Sequence, residues 1–379
     1  DASATHTWEI DQPAGVILAS PGMIAKGIRW MFDRHSPFYV RPGLSTDLLR
    51  WGYQFYRHTT QAHVERSIPA LKELSLFSKE LYRHWAKDLP FDFGYGERGL
   101  LMLYQKKETE HEEKEVVQLV NKFGVEAHIL TQEEIQKMEP DVRVKARGGV
   151  FYPGDTHLTP QILMTNLILF LKSNGVVFRS GVEVTGCITA EGKVQKIKSS
   201  EEEFETDAVV IAAGSWSGAL ASQLGITLPM QAGKGYSFTI PEVEKNIRIP
   251  SIFLEARVAV TPMGNDLRFG GTMEIAGVNH AIDMRRVKGI VDSIPSYYPE
   301  MKVGMPSVDK VWHGLRPCSP DGLPYIGRLN KFRNVIMASG HAMMGLSLGP
   351  GTGKLVSQIL LEETPEVSLA SFNPERYNS

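Results

Sequence analysis

Asp207-Ala-Val-Val-Ile-Ala-Ala-Gly-Ser-Trp-Ser217 is an apolar run that ends in small residues and leads into a turn. A second run, Asn334-Val-Ile-Met-Ala-Ser-Gly-His341, has the same grammar and precedes a helix-patterned stretch at 350–362. A strand that is apolar at every position is buried on both faces, the habit of a parallel sheet. Small residues at its exit let another backbone or a flat ligand approach closely. An ordinary core strand with a tight turn reads the same way, so each run alone leaves both readings open.

Outward from these runs, Thr159–Asn174 reads as a helix, with Pro160 in its first turn and Asn174-Gly175 at its end. Val176-Val-Phe178 follows as a predicted strand. Hairpin strands are predicted at 181–189 and 193–199, joined by Glu191-Gly192. Segments 145–220 and 310–365 thus carry βα signatures. The rest reads as a second layer. Apolar spacing predicts helices around 24–32, 48–56, 68–85 and 284–297, and a charged helix over 108–123 that Gly124 stops. Thr131-Gln-Glu-Glu134 is a capping box for a short helix closed by Pro140. Strands are predicted at 99–104, 149–152, 236–240, 257–261 and 267–269.

Composition narrows the function. At 379 residues the chain has room for about two domains. Its 41 Lys and Arg against 43 Asp and Glu leave no basic field to hold a polyanion, which argues against a nucleic-acid binder. A hydrophobic share of 42% excludes a disordered chain. Cys187 and Cys318 make neither a disulfide framework nor, alone, a zinc site. The eleven histidines show no tight metal spacing, and His58 and His63 read as surface. No apolar run is long enough to predict a spanning helix. The chain opens Asp-Ala-Ser without Met, so residue 1 is not expected to be the natural start.

Two other glycine patterns are discounted. Gly94-Tyr-Gly-Glu-Arg-Gly99 is a literal GxGxxG, but no buried strand precedes it and strand-like residues follow it, so a loop is expected. Gly349-Pro-Gly-Thr-Gly-Lys354 lacks both anchors of a phosphate loop, since Leu348 and Leu355 stand where Gly and Ser or Thr are needed. Its glycines still place N–H groups at a helix start, which suits an anion.

Six segments occur in order: the 208–217 run, Lys234-Gly-Tyr236, Trp312-His-Gly-Leu-Arg-Pro317, Asp321-Gly-Leu-Pro-Tyr-Ile-Gly327, Ala338-Ser-Gly-His-Ala-Met-Met-Gly345 and Pro350-Gly-Thr-Gly353. Together they resemble the FAD-dependent D-amino-acid oxidase superfamily, with the nearest likeness to bacterial D-amino-acid dehydrogenases and glycine oxidase. Ala19–Pro37 points to the dehydrogenase branch. The resemblance implies an α/β and α+β chain. A doubly wound FAD-binding domain would comprise 1–20, 145–225 and 310–379, and a mixed-sheet substrate domain 21–144 and 226–309. The family's N-terminal strand–GxGxxG–helix is not found. Thr7–Asp11 reads either as a remnant of its acid-bearing strand, with Glu9 or Asp11 on the ribose, or as a leader. The chain is therefore expected to lack most of one βαβ unit, roughly 30 residues, or to bind FAD poorly.

The resemblance also implies roles. Arg316 would grip the substrate carboxylate through a bidentate fork, with Met273 lining the cavity and Tyr236 touching substrate. Val182 would read adenine, and Gly214, Ser215 and Trp216 would lie near the ribityl or pyrophosphate. Gly340, Met343, Met344, Gly345, Leu346 and Ser347 would face the flavin, and His341 would either add a hydrogen bond there or be a satisfied core histidine. The implied reaction is oxidative deamination of a D-amino acid by hydride transfer to flavin N5, giving an imine, then a 2-oxo acid and ammonia. The electron acceptor would be quinone or oxygen. A glycine or sarcosine oxidase, a D-proline or hydroxyproline dehydrogenase, and a non-catalytic fragment without FAD remain alternatives. The location would be cytoplasmic. Trp30–Phe32 and Trp51–Phe55 allow peripheral contact with the inner membrane face, or packing on the substrate domain. The oligomeric state is left open.

Overall fold

The computed structural model describes residues 9–10, 38–40 and 45–377. Strands β1 (Glu9–Ile10) and β2 (Phe38–Val40) precede helices α1 (Thr46–His58) and α2 (Gln61–Asp88). Next come β3 (Leu100–Tyr104), α3 (Lys107–Lys122), β4 (His128–Thr131), α4 (Gln132–Met138), β5 (Gly148–Tyr152) and β6 (Thr156–His157). Then follow α5 (Pro160–Ser173), β7 (Val184–Ala190), β8 (Lys193–Ser199), β9 (Glu203–Glu205), β10 (Val209–Ile211) and α6 (Ser217–Gln223). After these come β11 (Gln231–Ile240), β12 (Ser251–Phe253), β13 (Val258–Met263), β14 (Asp266–Ile275) and α7 (Met284–Tyr297). The last elements are β15 (Trp312–Cys318), β16 (Tyr325–Leu329), β17 (Phe332–Ser339) and α8 (Gly349–Leu360).

The two apolar runs that end in glycine, 207–217 and 334–341, lie side by side. β10 pairs in parallel with β17, Val210 opposite Ile336, and β16 adds an antiparallel strand on the other side. β17 is the buried strand expected, whereas β10, at the edge of this sheet among the described residues, leaves Val210 38% exposed. Both parallel strands leave through glycines at positive φ, Gly214 at 52° and Gly340 at 78°. Loops at the carboxyl ends of parallel strands are where such sheets bind ligands. The three-stranded β7-β8-β9 sheet is tied on by Asn334, whose side chain accepts from Val194 N at 2.9 Å and donates to Val194 O and Asp207 O. The hairpin turn at Glu191-Gly192 takes positive φ at both residues, as a tight two-residue turn requires.

A mixed sheet of nine strands runs β15-β11-β14-β13-β12-β3-β5-β4, with β2 joining the end of β14. One face packs on α7 through Phe238, Phe269, Val260, Ile290 and Ile294. Tyr236 and Phe238 of β11 and Leu267 and Phe269 of β14 supply large side chains to that face, and Gly271 leaves room there for Ile290. The strand β5 from segment 145–225 and the strand β15 from segment 310–379 both belong to this sheet. The long helix α2 packs against α8. The Ser78 hydroxyl donates to Ser347 O at 2.6 Å and the Tyr82 hydroxyl to Leu346 O at 2.8 Å. The loop after β17 is thereby clamped from behind. The Thr131–Glu134 capping box forms as expected.

Three expectations change. Val176–Phe178 is not a strand: it finds no pairing partner among the described residues, and Val177 is 74% exposed. Glu9–Ile10 pairs antiparallel with β6, whose other edge is bridged by Gly96, so it does not enter the parallel sheet as an acid-bearing strand. Asp11, and the helix expected around 24–32 with Trp30–Phe32, lie outside the described residues. His63 is buried rather than on the surface, 2.8 Å from Asp321 O. The Gly94–Gly99 motif is a loop, as read from its context.

Candidate active site

Antiparallel pairing sets Arg316 on β15 opposite Gly233 on β11. Directly opposed residues share a sheet face. Gly233 and Gly235 leave that face without side chains, and the long side chains of the flanking strands lie across it. A Cβ on Gly235 would sit 2.3 Å from Arg316 Nη2, and one on Gly233 would sit 2.3 Å from Met273 Sδ. Alternating glycines in a strand mark such a close approach. Arg316 Nη1 lies 3.9 Å from Met273 Sδ. The structure therefore brings Arg316 and Met273 together over a glycine floor.

A β-bulge completes this corner. The β11–β14 register shifts between Lys234 and Tyr236, and Thr272 takes a φ of +67°. A β-branched residue there is strained by about 1–3 kcal/mol. The bulge turns the Thr272 carbonyl onto Arg316 Nη1 at 2.7 Å. Arg316 Nε is buried with no hydrogen-bond partner. Neither a carboxylate nor another acid neutralises this guanidinium among the described residues, and burial pulls it down to about 10. Yet part of the side chain stays accessible. A buried cation without a partner is costly, so the geometry is arranged for an anion that arrives from outside.

The wall around it is apolar: Trp51, Ile275, Cys318 and Ala342 pack with Met273, and Met343 lies against them. Trp51 Nε1 donates to Cys318 O at 2.9 Å, and its ring stacks on Phe55. Trp51 of the aromatic 51–55 segment thus faces inward, while Tyr53 and Tyr56 are exposed. Cys318 also bridges to His341, which ties the loop after β17 to this wall.

That loop holds Gly340–Ser347. His341 is buried, shares a 2.9 Å hydrogen bond with Thr352 Oγ1 and is pushed down to about 4 by burial, so it is neutral at ordinary pH. Met344 and Leu346 are core residues; Met343 and Gly345 are half-buried. On the neighbouring crossover, the Ser215 hydroxyl donates to Leu315 O at 3.1 Å, and the Ser339 hydroxyl to Gly214 O at 3.1 Å. Trp216 is 42% exposed and stacks on His280. Val182 lies just before β7, half-buried and away from this corner in sequence and sheet. Tyr236 is not brought to Arg316: it faces the opposite side of β11, where its hydroxyl donates to Glu274 at 2.8 Å.

Sequence reading missed Gly233, Gly235, Thr272 and Trp51. Gly233-Lys-Gly235 and Gly270-Gly271 carried the signal, since paired or alternating glycines inside strands mark close approach and bulges.

The residues present fit a flavin at one end. Around Gly214 no atom would meet an added Cβ within 4 Å, and Gly340 is backed directly by Tyr325. The crossover loop is tied to the β17 exit by Ser339, that exit to α8 by His341 and Thr352, and Ser215 reaches the carbonyl of Leu315, the residue before Arg316. The chain is a member of the FAD dependent oxidoreductase (DAO) family, whose model matches residues 19–359. It is accordingly an FAD-dependent oxidoreductase.

Among its relatives, the D-amino acid dehydrogenase of Granulibacter bethesdensis is 30% identical over 365 residues, covering 95% of this chain and 86% of that protein. The D-amino acid dehydrogenase of Bradyrhizobium diazoefficiens is 28% identical over 392 aligned positions, covering 100% of this chain and 90% of that protein. Glycine oxidase from Geobacillus kaustophilus superposes with a TM-score of 0.73 at 23% identity, over 82% of this chain and 83% of its own. That likeness concerns the fold.

Two predictions arise here. Gly235→Ala puts a methyl where Arg316 Nη2 lies, and the guanidinium, being the flexible partner, moves. A rise in substrate KM of about tenfold or more, about 1.4 kcal/mol, is expected without a fall in Tm. An unchanged KM would show that the guanidinium position is not used. The second concerns pH. His157 and His341 are both held near 4 by burial, against 6.5 when unfolded. The unfolded chain binds their protons first as pH falls. Stability is therefore intact above about 6.5 and declines toward 4, by up to about 1.4 kcal/mol per pH unit for each histidine. Thermal melts from pH 7.5 to 4.5 should show this slope, and His341→Asn should flatten it.

Proposed function

We propose that the protein is a D-amino-acid dehydrogenase, which oxidatively deaminates its substrate to a 2-oxo acid and ammonia. The observation that carries the reading is Arg316, a buried guanidinium with an unused Nε and no acid beside it. The names of the two curated relatives support the same substrate class. Arg316 binds the α-carboxylate by a forked pair of hydrogen bonds. The Thr272 carbonyl fixes the orientation of that fork. With the carboxylate anchored, the substrate Cα is held at a single height above the glycine floor, which converts binding into orientation. Met273, Trp51 and Cys318 keep water from that corner.

Bound FAD supplies the hydride acceptor. The N–H groups of 340–347 and of the α8 start present positive potential to the group that takes up negative charge. His341 stays neutral and bonded to Thr352, so it orients that loop rather than moving protons. No side-chain base is needed at Cα when the hydrogen leaves as hydride. In this reading the FAD-binding part comprises 1–20, 145–225 and 310–379 and the substrate part 21–144 and 226–309, with β5 and β15 reaching from the first into the large sheet.

Among the described residues no helix is long and apolar enough to cross a membrane. Quinone and oxygen are the two candidate electron acceptors, and the name dehydrogenase carried by the curated relatives favours the quinone. D-amino-acid-dependent reduction of a quinone or dye, with one 2-oxo acid and one ammonia per turnover, is the expected result. Fast oxygen consumption with peroxide would assign an oxidase instead.

A further inference from the structure

A second guanidinium occupies the same sheet face as Arg316. Arg268 on β14 pairs with Thr239 on β11, and Ser237, one step further toward Gly235, accepts from Arg268 Nη2 at 2.6 Å. Phe269 and Leu267 flank Arg268 in sequence and point into the α7 core, so Arg268 points the other way. It is 4% exposed, and its Nε has no hydrogen-bond partner. Thr261, opposite Arg268 on β13, is fully buried, and its hydroxyl also has no partner. Trp312, opposite Ser237 on β15, lies 5.8 Å from the guanidinium carbon. Burial alone lowers Arg268, to about 10, and no acid offsets it among the described residues.

Between the two arginines the sheet face carries glycine. Gly235 on β11 pairs with Gly314 on β15, and Gly270 on β14 pairs with Ser237. Arg316 lies against Gly235, and Arg268 is bonded to Ser237, two residues along the same strand. Two strand residues span about 7 Å. A dicarboxylic amino acid bridges such a distance with one carboxylate at each end.

We propose that Arg268, with the Thr261 hydroxyl, forms a second anion subsite, and that the substrate is a D-amino acid whose side chain ends in a carboxylate. The inference rests on the proposed role of Arg316 as the α-carboxylate anchor. A purely structural Arg268 would have an acid, or a full set of carbonyls, around it. Instead its Nε is orphaned, and so is the hydroxyl of Thr261, its partner across the β13–β14 pair. That pair matches a carboxylate, which accepts from both.

Binding of glutarate and of its monoamide, glutaramate, to the FAD-loaded protein tests this without turnover. Each ligand offers one carboxylate to Arg316, and only glutarate offers a second. Thermal-shift titration should give glutarate at least a tenfold lower dissociation constant. Arg268→Met should bring the ratio near one, and should raise the ligand-free Tm because an unneutralised buried charge is gone. Arg316→Met should weaken both ligands.

Equal affinities in the wild type would overturn the subsite, as would a ratio that survives Arg268→Met. Should Arg268→Met fail to fold, the wild-type ratio decides by itself. The two readings fail separately. A glutarate preference without amino-acid oxidation removes the proposed reaction and leaves the subsite. Oxidation of D-glutamine as efficient as that of D-glutamate removes the subsite and leaves the reaction.

Discussion

Arg316→Ala is expected to lower kcat/KM by between about 30-fold and several thousand-fold, the equivalent of about 2–5 kcal/mol for truncating one side of a buried, hydrogen-bonded charge pair. The loss should appear chiefly as an inability to saturate, because the fork is the carboxylate's anchor. The fold should not suffer. Arg316 makes one hydrogen bond to Thr272 O, leaves its Nε unpaired and meets no acid among the described residues. Removing an unneutralised buried charge relieves a desolvation cost that offsets the cavity left by the shorter side chain. Tm without substrate should therefore stay near the wild-type value. Partial rescue by free guanidinium would separate a lost anchor from a distorted pocket. Unchanged saturation by substrate would refute the role of this residue.

The largest effect on stability is expected at Asp321. Its carboxylate takes a two-pronged ion pair from Arg376, at 2.6 and 2.8 Å, and accepts from Leu323 N at 3.1 Å. Arg376 also donates to the carbonyls of Leu323 and Pro324 and stacks on Tyr325 at 4.2 Å. This knot fixes the Asp321–Gly327 turn that leads into β16. Asp321→Ala leaves Arg376 buried without its partner, at a cost of about 3–5 kcal/mol. For a chain of this size that is a fall in Tm of roughly 4–6 °C. Burial pushes the Asp321 carboxyl up, but the Arg376 charge and hydrogen bonds outweigh it and hold the group below the ordinary range. Its stabilising contribution is therefore present above the unfolded carboxyl value, near 4, and is lost as pH falls through the lower folded value. Asp321→Ala should remove that acid sensitivity. A Tm within a degree or two of wild type would contradict the account.

The parallel pair β10 and β17 was legible because both runs are apolar through their paired residues and end in glycine, although only β17 is buried on both faces and Val210 of β10 is 38% exposed. α7 and the Thr131 capping box were legible for equally local reasons: an amphipathic period and a side chain that reaches three residues on. Val176–Phe178 has the same apolar local character and yet forms no strand, because a strand needs a neighbour that local sequence does not name. Tyr236 illustrates a second limit. Its position beside Gly235 was visible, but whether it faces Arg316 depends on side-chain alternation along β11, and alternation sends it to Glu274. Thr272 was hidden for a third reason. Its carbonyl, not its side chain, meets Arg316, and backbone groups leave little mark on residue type. The glycines at 233 and 235 were the readable trace of that corner.

The central claim is that this corner presents the α-carbon of a D-amino acid to FAD. Anaerobic mixing of the FAD-loaded protein with a panel of D-amino acids, their L-enantiomers, glycine and sarcosine tests it most directly, followed by loss of the flavin's visible absorbance. The account predicts rapid bleaching by at least one D-amino acid, none by its L-enantiomer, and a loss of saturable bleaching in Arg316→Ala. No bleaching by any amino acid in the panel would contradict it.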